Sequence, residues 1–249
     1  VLPPLVDGAA HISLRVPRRI PPSLETLRRW GMFDEQTGEV LSRIVRARLA
    51  FVIGGGTGSG KTTLMSALMS QVPPGERIVV VEDVRELLVR HPHVVHLQGR
   101  APNVEGRGEV TLTTLVRQAL RMRPDRVVLG EARGAEVREL MTALNTGHEG
   151  GCGTIHANSA SDVISRFEAL GALAGLSPEA VDTQLASAIQ VVLHVARESS
   201  GRRLSRVAVL SRCEGRIQVQ TALRAERGGY RDGPARQALE NMIRSRALC

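Results

Sequence analysis

Apolar positions fall into two kinds of run along this chain, and their alternation predicts its architecture. Short runs with little polar interruption occur at Leu49-Ala50-Phe51-Val52-Ile53, Arg77–Val81, Val94–Leu97 and Arg126–Leu129. Between them apolar residues recur at helical spacing. The helices so predicted are about Glu35–Arg48, with Val40, Leu41, Ile44 and Val45 on one face, then Thr62–Gln71, Thr111–Arg121 and about Ala135–Leu144. Continuous apolar strands alternating with amphipathic helices predict an α/β fold, a mostly parallel sheet covered on both faces. Two further helices are predicted near Ala160–Leu170 and Pro178–Ile189. Val191–Val195, Leu204–Leu210 and Ile217–Thr221 then read as C-terminal strands joined by turns at Ser200-Gly201 and Glu214-Gly215, before a helix near Pro234–Arg246.

The first residues follow another rhythm. Ala10 to Val16 alternates polar and apolar as a strand does, and Pro17 and Pro21-Pro22 break regular structure. Ser23 can cap a short helix carrying Leu24 and Leu27. Residues 1–22 are therefore expected to be the end of an N-terminal domain plus a linker, and residues 23–249 the main domain. The chain opens on Val1-Leu2-Pro3-Pro4 where an initiator Met would stand, which fits a fragment of a longer protein.

A glycine-rich segment follows the first apolar strand. Gly55-Gly56-Thr57-Gly58-Ser59-Gly60-Lys61-Thr62 fits G-x-x-x-x-G-K-[ST], with a strand before it and a helix after it. Glycines let backbone N–H groups turn toward phosphate oxygens with no Cβ in the way, and the helix N-terminus adds partial positive charge. The expected ligands are ATP and Mg²⁺. Gly56, Thr57, Gly58, Ser59, Gly60, Lys61, Thr62 and Thr63 would bind the nucleotide, Lys61 bridging the β- and γ-phosphates, the Thr62 hydroxyl ligating Mg²⁺ and Thr63 touching the α-phosphate. Composition sharpens this. Of 33 lysines and arginines only Lys61 is a lysine, and it stands where a compact ammonium on a flexible stem is needed.

Two strands end in acids. Arg126–Leu129 runs into Gly130-Glu131, placing Glu131 where a carboxylate would sit beside the Mg²⁺, through water. Ile78-Val79-Val80-Val81-Glu82-Asp83 offers Glu82 to orient or deprotonate the attacking water, with Asp83 as a cap of the next turn. Thr146 to Asn158 packs four glycines, His148 and His156 into what reads as a loop between elements. A neutral imidazole there could sense the γ-phosphate or the water; equally, the segment could be a mobile loop with incidental histidines. Zinc is not expected, because these histidines lack a matching Cys/His pair. Arginines in Gln98–Gly108, with Arg121 and Arg123, are candidates to stabilise γ-phosphate charge, in cis or from a neighbouring subunit.

Net charge is +8 with a pI near 10.9, which alone would suggest nucleic acid or an anionic membrane. The basic residues are spread along the chain, and aromatics make up only 2% of it. A single-strand binder stacks bases on aromatic rings, so no nucleic-acid partner is expected. Cys152, Cys213 and Cys249 form neither a disulfide framework nor a zinc spacing and fit a reducing cytoplasm. No apolar run approaches the roughly 20 residues of a membrane span.

In their order, these elements resemble the type II/type IV secretion ATPase superfamily: a phosphate loop, an aspartate box at Ile78–Asp83, a Gly-Glu Walker B element at Val127–Glu131 and a histidine box at Thr146–Asn158. Ile78–Asp83, Pro102–Val110, Ala119–Asp125 and Thr154–Asn158 look most like its Tad/Flp pilus assembly branch. The resemblance covers about Gly8 to Leu223. It implies a RecA-like P-loop NTPase core in a hexameric ring, with nucleotide at subunit boundaries under an N-terminal domain of which this chain holds a remnant. By residue match, Glu82 would be the catalytic carboxylate, Glu131 the Walker B acid and His156 the histidine-box residue, and Arg121 and Arg133 match arginines of the family pattern. The four-cysteine zinc element of many type II members is absent. The implied protein is a cytoplasmic ATPase peripheral to the inner membrane, powering a pilus or secretion apparatus through platform proteins there. The rivals are a conjugation-type DNA-transfer ATPase and a nucleotide-gated assembly module with little turnover.

Overall fold

The structure, a computed structural model, describes Ala10, Ile12, residues 20–213 and residues 215–247. The strand expected over Ala10–Val16 and most of the expected 1–22 unit lie outside the described residues, as do Glu214 of the second turn and Cys249.

Nine strands form one sheet. In chain order they are β1 (Phe51–Gly55), β2 (Ile78–Glu82), β3 (Val94–Gln98), β4 (Arg126–Ala132), β5 (Cys152–His156), β6 (Val191–Glu198), β7 (Gly201–Cys213), β8 (Arg216–Glu226) and β9 (Gly229–Asp232). Their spatial order is β3-β2-β4-β5-β1-β6-β7-β8-β9. Pairing is parallel from β3 to β6 and antiparallel from β6 to β9. The helices are α1 (Leu24–Arg29), α2 (Glu35–Arg46), α3 (Lys61–Met69), α4 (Leu112–Arg121), α5 (Glu136–Asn145), α6 (Asp162–Leu173), α7 (Pro178–Ala188) and α8 (Arg236–Ala247).

Strand side chains alternate between faces, and two cores result. Phe51, Ile53, Ile78, Val80 and Val128 pack with α1, α2, α3 and α8. Val52, Val79, Val81, Leu129 and Ile155 pack with residues of α4 to α7. Helix starts follow their caps: Ser23, Asp34, Thr111 and Ser177 each accept a hydrogen bond from a first-turn amide.

One expected loop is a strand. Cys152–His156, read from sequence as part of a glycine-rich loop, is β5, seated in mid-sheet between β4 and β1. Its glycines serve close packing. A Cβ on Gly151 would stand 2.6 Å from Leu144 Cδ2 and 2.7 Å from the Val127 carbonyl, and one on Gly153 3.3 Å from Leu140 Cδ2. The sheet therefore lies close under α5. Strand β9 was not foreseen at all; four residues with one aromatic carry too short a pattern.

A parallel sheet gathers the C-terminal ends of its strands on one edge, where loops can build a site. Here Gly55, Glu82, Glu131 and His156 all stand at or near such ends. The opposite edge is pinned by Arg126, which is fully buried; its Nε donates to Glu76 Oε2 at 2.7 Å and its Nη2 to Glu76 Oε1 at 3.3 Å.

Candidate nucleotide site

The phosphate loop turns between β1 and α3 with two glycines in the left-handed region, Gly58 at φ +69° and Gly60 at φ +104°. Gly60 occupies the N-cap of α3, and no side chain caps that helix. Its first amides thus point into the pocket without a side-chain acceptor, as an anion cradle requires. Gly55 is held by crowding: a Cβ there would be 2.4 Å from the Val195 carbonyl and 2.6 Å from Ser59 Oγ.

The pocket above the loop is lined by residues 57–63, by Glu82, Asp83, Val84 and Glu86 after β2, by Gly130, Glu131 and Arg133 from β4 and its loop, by Thr154 and His156 of β5, and by Arg202 of β7. Lys61 is buried, and its Nζ donates to the carbonyls of Gly55 at 2.9 Å and Gly56 at 3.1 Å. Burial holds its ammonium below the ordinary lysine range, and the Glu131 carboxylate partly opposes that shift. Ser59 Oγ is buried with no hydrogen-bond partner, a polar group in want of an acceptor or donor.

Glu131 is flanked by a guanidinium and an imidazole, since both Arg133 Nη2 and His156 Nε2 lie in contact with its carboxylate. That contact raises the Arg133 pKa. The turn presenting Arg133 is fixed by buried Glu136, whose Oε1 accepts from the amides of Arg133 at 2.6 Å and Gly134 at 2.7 Å. Thr154 donates its hydroxyl to the Gly130 carbonyl at 2.6 Å and so ties β5 to β4 beside the acid. Glu82 is buried; its Oε1 accepts from the amide of Leu87 at 2.9 Å, and its Oε2 lies 3.8 Å from His96 Nδ1.

The residues fit a nucleotide and a divalent cation. Loop amides, an uncapped helix start, Lys61 and the lone Ser59 hydroxyl suit phosphate oxygens. The facing wall carries Glu82, Asp83, Glu86 and Glu131, carboxylates that suit a divalent cation bound beside a triphosphate. Thr62 and Glu131 line the same pocket, and Mg²⁺ binds through one or two protein oxygens plus substrate phosphates.

Of the residues singled out from sequence, the structure brings together Thr57 to Thr63, Glu82, Glu131 and His156, and Arg133 joins them. Gly56 contributes its carbonyl to Lys61. Arg121 is not brought in. It ends α4, exposed, at the edge of the sheet where β4 begins, with roughly 17 Å of strand between that edge and Glu131. His148 stays outside as well, its Nδ1 3.3 Å from the Ala143 carbonyl. Arg100 turns onto its own loop and donates to the Gly108 carbonyl at 2.7 Å. Sequence reasoning missed Thr154 and Arg202. The Nε of Arg202 donates to the Gly58 carbonyl at 2.9 Å, across 144 positions of chain, and one arginine among 32 gives no signal of that contact.

Fold and site together define a RecA-like α/β protein built around a phosphate loop. The chain belongs to the type II/IV secretion system protein family, whose model matches residues 1–231. A Mycobacterium tuberculosis protein named as a conjugal transfer protein is 54% identical over 248 residues, covering 99% of this chain and 70% of its own. The crystal structure of the VirB11 ATPase from the Brucella suis type IV secretion system, in complex with sulphate, superposes with a TM-score of 0.58 at 36% identity, covering 74% of this chain and 54% of that one. The pilus retraction motor PilT, solved with bound ADP, shares the fold at a TM-score of 0.58 and 22% identity, covering 94% of this chain and 59% of its own. The chain thus spans little more than half the length of these solved relatives. No helix among the described residues is long and apolar enough to cross a membrane.

Proposed function

We propose that the chain is the motor core of a secretion-type ATPase: it binds Mg-ATP on Gly56–Thr63 and hydrolyses it. One observation carries the reading. A phosphate cradle with its lysine faces carboxylates from two strand ends, Glu82 and Glu131, across a single pocket. Lys61 and the α3 amides would hold the phosphates, and Thr62 and Glu131 would hold Mg²⁺, which when bound supplies positive charge to neutralise the phosphates. Glu82, its Oε1 pinned by the Leu87 amide, orients the attacking water and takes its proton. His156 and Arg133 hold Glu131 in place and stand ready to meet charge at the γ-phosphate. Catalysis in this arrangement is positioning and electrostatics.

The assembly we propose is a hexameric ring at the cytoplasmic face of the inner membrane, peripheral to it, moving platform proteins of a pilus or secretion apparatus. Placement in the Tad/Flp branch is part of this proposal and rests on Ile78–Asp83, Pro102–Val110, Ala119–Asp125 and Thr154–Asn158. A second reading, conjugation-type transfer of DNA, draws support from the naming of the M. tuberculosis relative. Turnover stimulated by DNA would favour it over the pilus reading.

The test is steady-state phosphate release at several protein concentrations, beside Glu82→Gln. The expected result is a rate per subunit that rises with concentration and falls by about 10²-fold or more in the variant. A concentration-independent rate untouched by the variant would remove Glu82 from its role and overturn the shared-site motor.

A further inference from the structure

The two oxygens of Glu82, the acid assigned to the attacking water, have different surroundings. Oε1 is held by the loop after β2, accepting from the amides of Leu87 at 2.9 Å and Glu86 at 3.3 Å. Oε2 faces another strand: beside it stands His96 of β3, with Nδ1 3.8 Å away. That ring nitrogen is buried and has no hydrogen-bond partner, which is costly for a polar atom taken out of water. The imidazole is largely enclosed, its side chain 16% exposed against 6% for Glu82.

The strand register brings the two together. β2 and β3 run parallel, with Val80 opposite His96 and Glu82 opposite Gln98. Residues two positions apart share a face, so Glu82 and His96 project from the same side of the sheet. It is the side of the phosphate-loop helix, because Val80 packs in the core that α3 shares. β2 lies between β4 and β3. On one flank Gly130 of β4 leaves space for the Glu82 stem; on the other stands His96. The imidazole is outside the lining of the nucleotide pocket, so it meets the carboxylate from behind.

A carboxylate pinned at one oxygen still swings, because the last torsion of a glutamate is broad. Orienting a water for in-line attack needs a carboxylate fixed in angle as well as in place. A donor on the second oxygen removes the remaining freedom. From 3.8 Å, a shift of about 1 Å brings Nδ1 to hydrogen-bond distance of Oε2, and a bond to a carboxylate is among the stronger ones. We propose that His96 is a positioning residue for hydrolysis: its Nδ1–H donates to Glu82 Oε2 and sets the angle from which Glu82 orients the water. The inference rests on the reading of Glu82 given above and deepens it.

The test combines turnover with a spectroscopic readout on the 249-residue chain. His96→Phe keeps a ring and removes the donor, and His96→Asn restores a donor through its amide. β3 is the edge of the sheet, so either replacement leaves the central strands in place, and urea midpoints check this. His96→Phe should lower kcat about tenfold with KM for Mg-ATP unchanged, and His96→Asn should stay within about threefold of the unaltered chain. On top of Glu82→Gln, His96→Phe should cost nothing further, since the two residues act as a unit. Long-range ¹H–¹⁵N spectra, with the His96 signal assigned by its loss in His96→Phe, should show a proton on Nδ1 and a shift of that signal in Glu82→Gln. Full turnover in His96→Phe, equal loss in the Phe and Asn variants, a tenfold loss that persists in the Glu82→Gln background, or a bare Nδ1 would each overturn the inference while leaving Glu82 its role. If His96→Phe shows no cooperative urea transition, the Asn variant and the spectrum of the unaltered chain decide. Unaltered turnover in Glu82→Gln, or none in the unaltered chain, would overturn the reading of Glu82 and His96 with it.

Discussion

Gly130 shows how a single missing side chain can set the chemistry of a site. It precedes the acid of β4, and a Cβ there would stand 2.5 Å from Glu82 Cγ and 3.1 Å from Glu82 Oε1. The glycine is therefore space for the neighbouring strand's carboxylate. The Gly-Glu pairing belongs to the geometry of both acids, since one residue makes room for Glu82 while the next supplies Glu131. Gly130→Ala should lower unfolding stability by about 1–3 kcal/mol, the usual penalty for overpacking. Turnover should fall as well, because relief requires Glu82 to leave its hydrogen bond with Leu87. Gly56→Ala is the control for stability: no atom lies within 4 Å of a Cβ at that position, so its urea midpoint should stay near that of the unaltered chain. Equal midpoints for the two variants would show that the crowding at Gly130 is relieved without consequence.

At the scale of elements, strand β5 shows which features the sequence carries openly and which it conceals. Strands β1, β2 and β4 announce themselves because both faces are buried and Phe51–Ile53, Ile78–Val81 and Val127–Leu129 are uninterrupted apolar runs. The amphipathic helices do so by their period. Strand β5 is as central as any, yet it reads Cys-Gly-Thr-Ile-His; its glycine and polar residues answer to α5 and to the Gly130 carbonyl, contacts that exist only after folding. The phosphate loop was legible because its chemistry is local to eight residues. Arg202 was not, because a hairpin 144 positions away delivers it. The strand assignment has a chemical consequence at Cys152. Burial under α3, with its Sγ 3.3 Å from Met65 Sδ and 3.7 Å from Met69 Sδ, pushes the thiol up to about 12. At neutral pH Cys152 is then fully protonated and enclosed, and only thiolate reacts. Under native conditions iodoacetamide should label half-buried Cys213 and spare Cys152, which becomes reactive only in denaturant. Peptide mass spectrometry showing comparable native labelling of the two would place 152–156 at the surface, as a mobile loop would require.

Across the whole molecule the polarity of the parallel sheet separates Arg121 from the site in its own chain. The phosphates belong at the C-terminal ends of the strands, and Arg121 lies where β4 starts, roughly 17 Å from Glu131 along the strand. No side-chain rotation spans that distance, so within one chain Arg121 does not reach the pocket. A closed ring changes the situation: in a head-to-tail assembly each subunit presents a different surface to each neighbour, and an exposed arginine at one edge can complete the pocket of the next. If Arg121 acts in this way, Lys61→Ala and Arg121→Ala each lose turnover for different reasons, the first in its own pocket and the second in its neighbour's. Mixing the two inactive proteins in equal amounts should then restore activity. Random assembly puts an intact Lys61 opposite an intact Arg121 at about one site in four, so the mixture should reach roughly a quarter of the unaltered rate. A mixture no more active than its components, or an Arg121→Ala protein with full turnover alone, would remove Arg121 from the shared site, which would then need another donor.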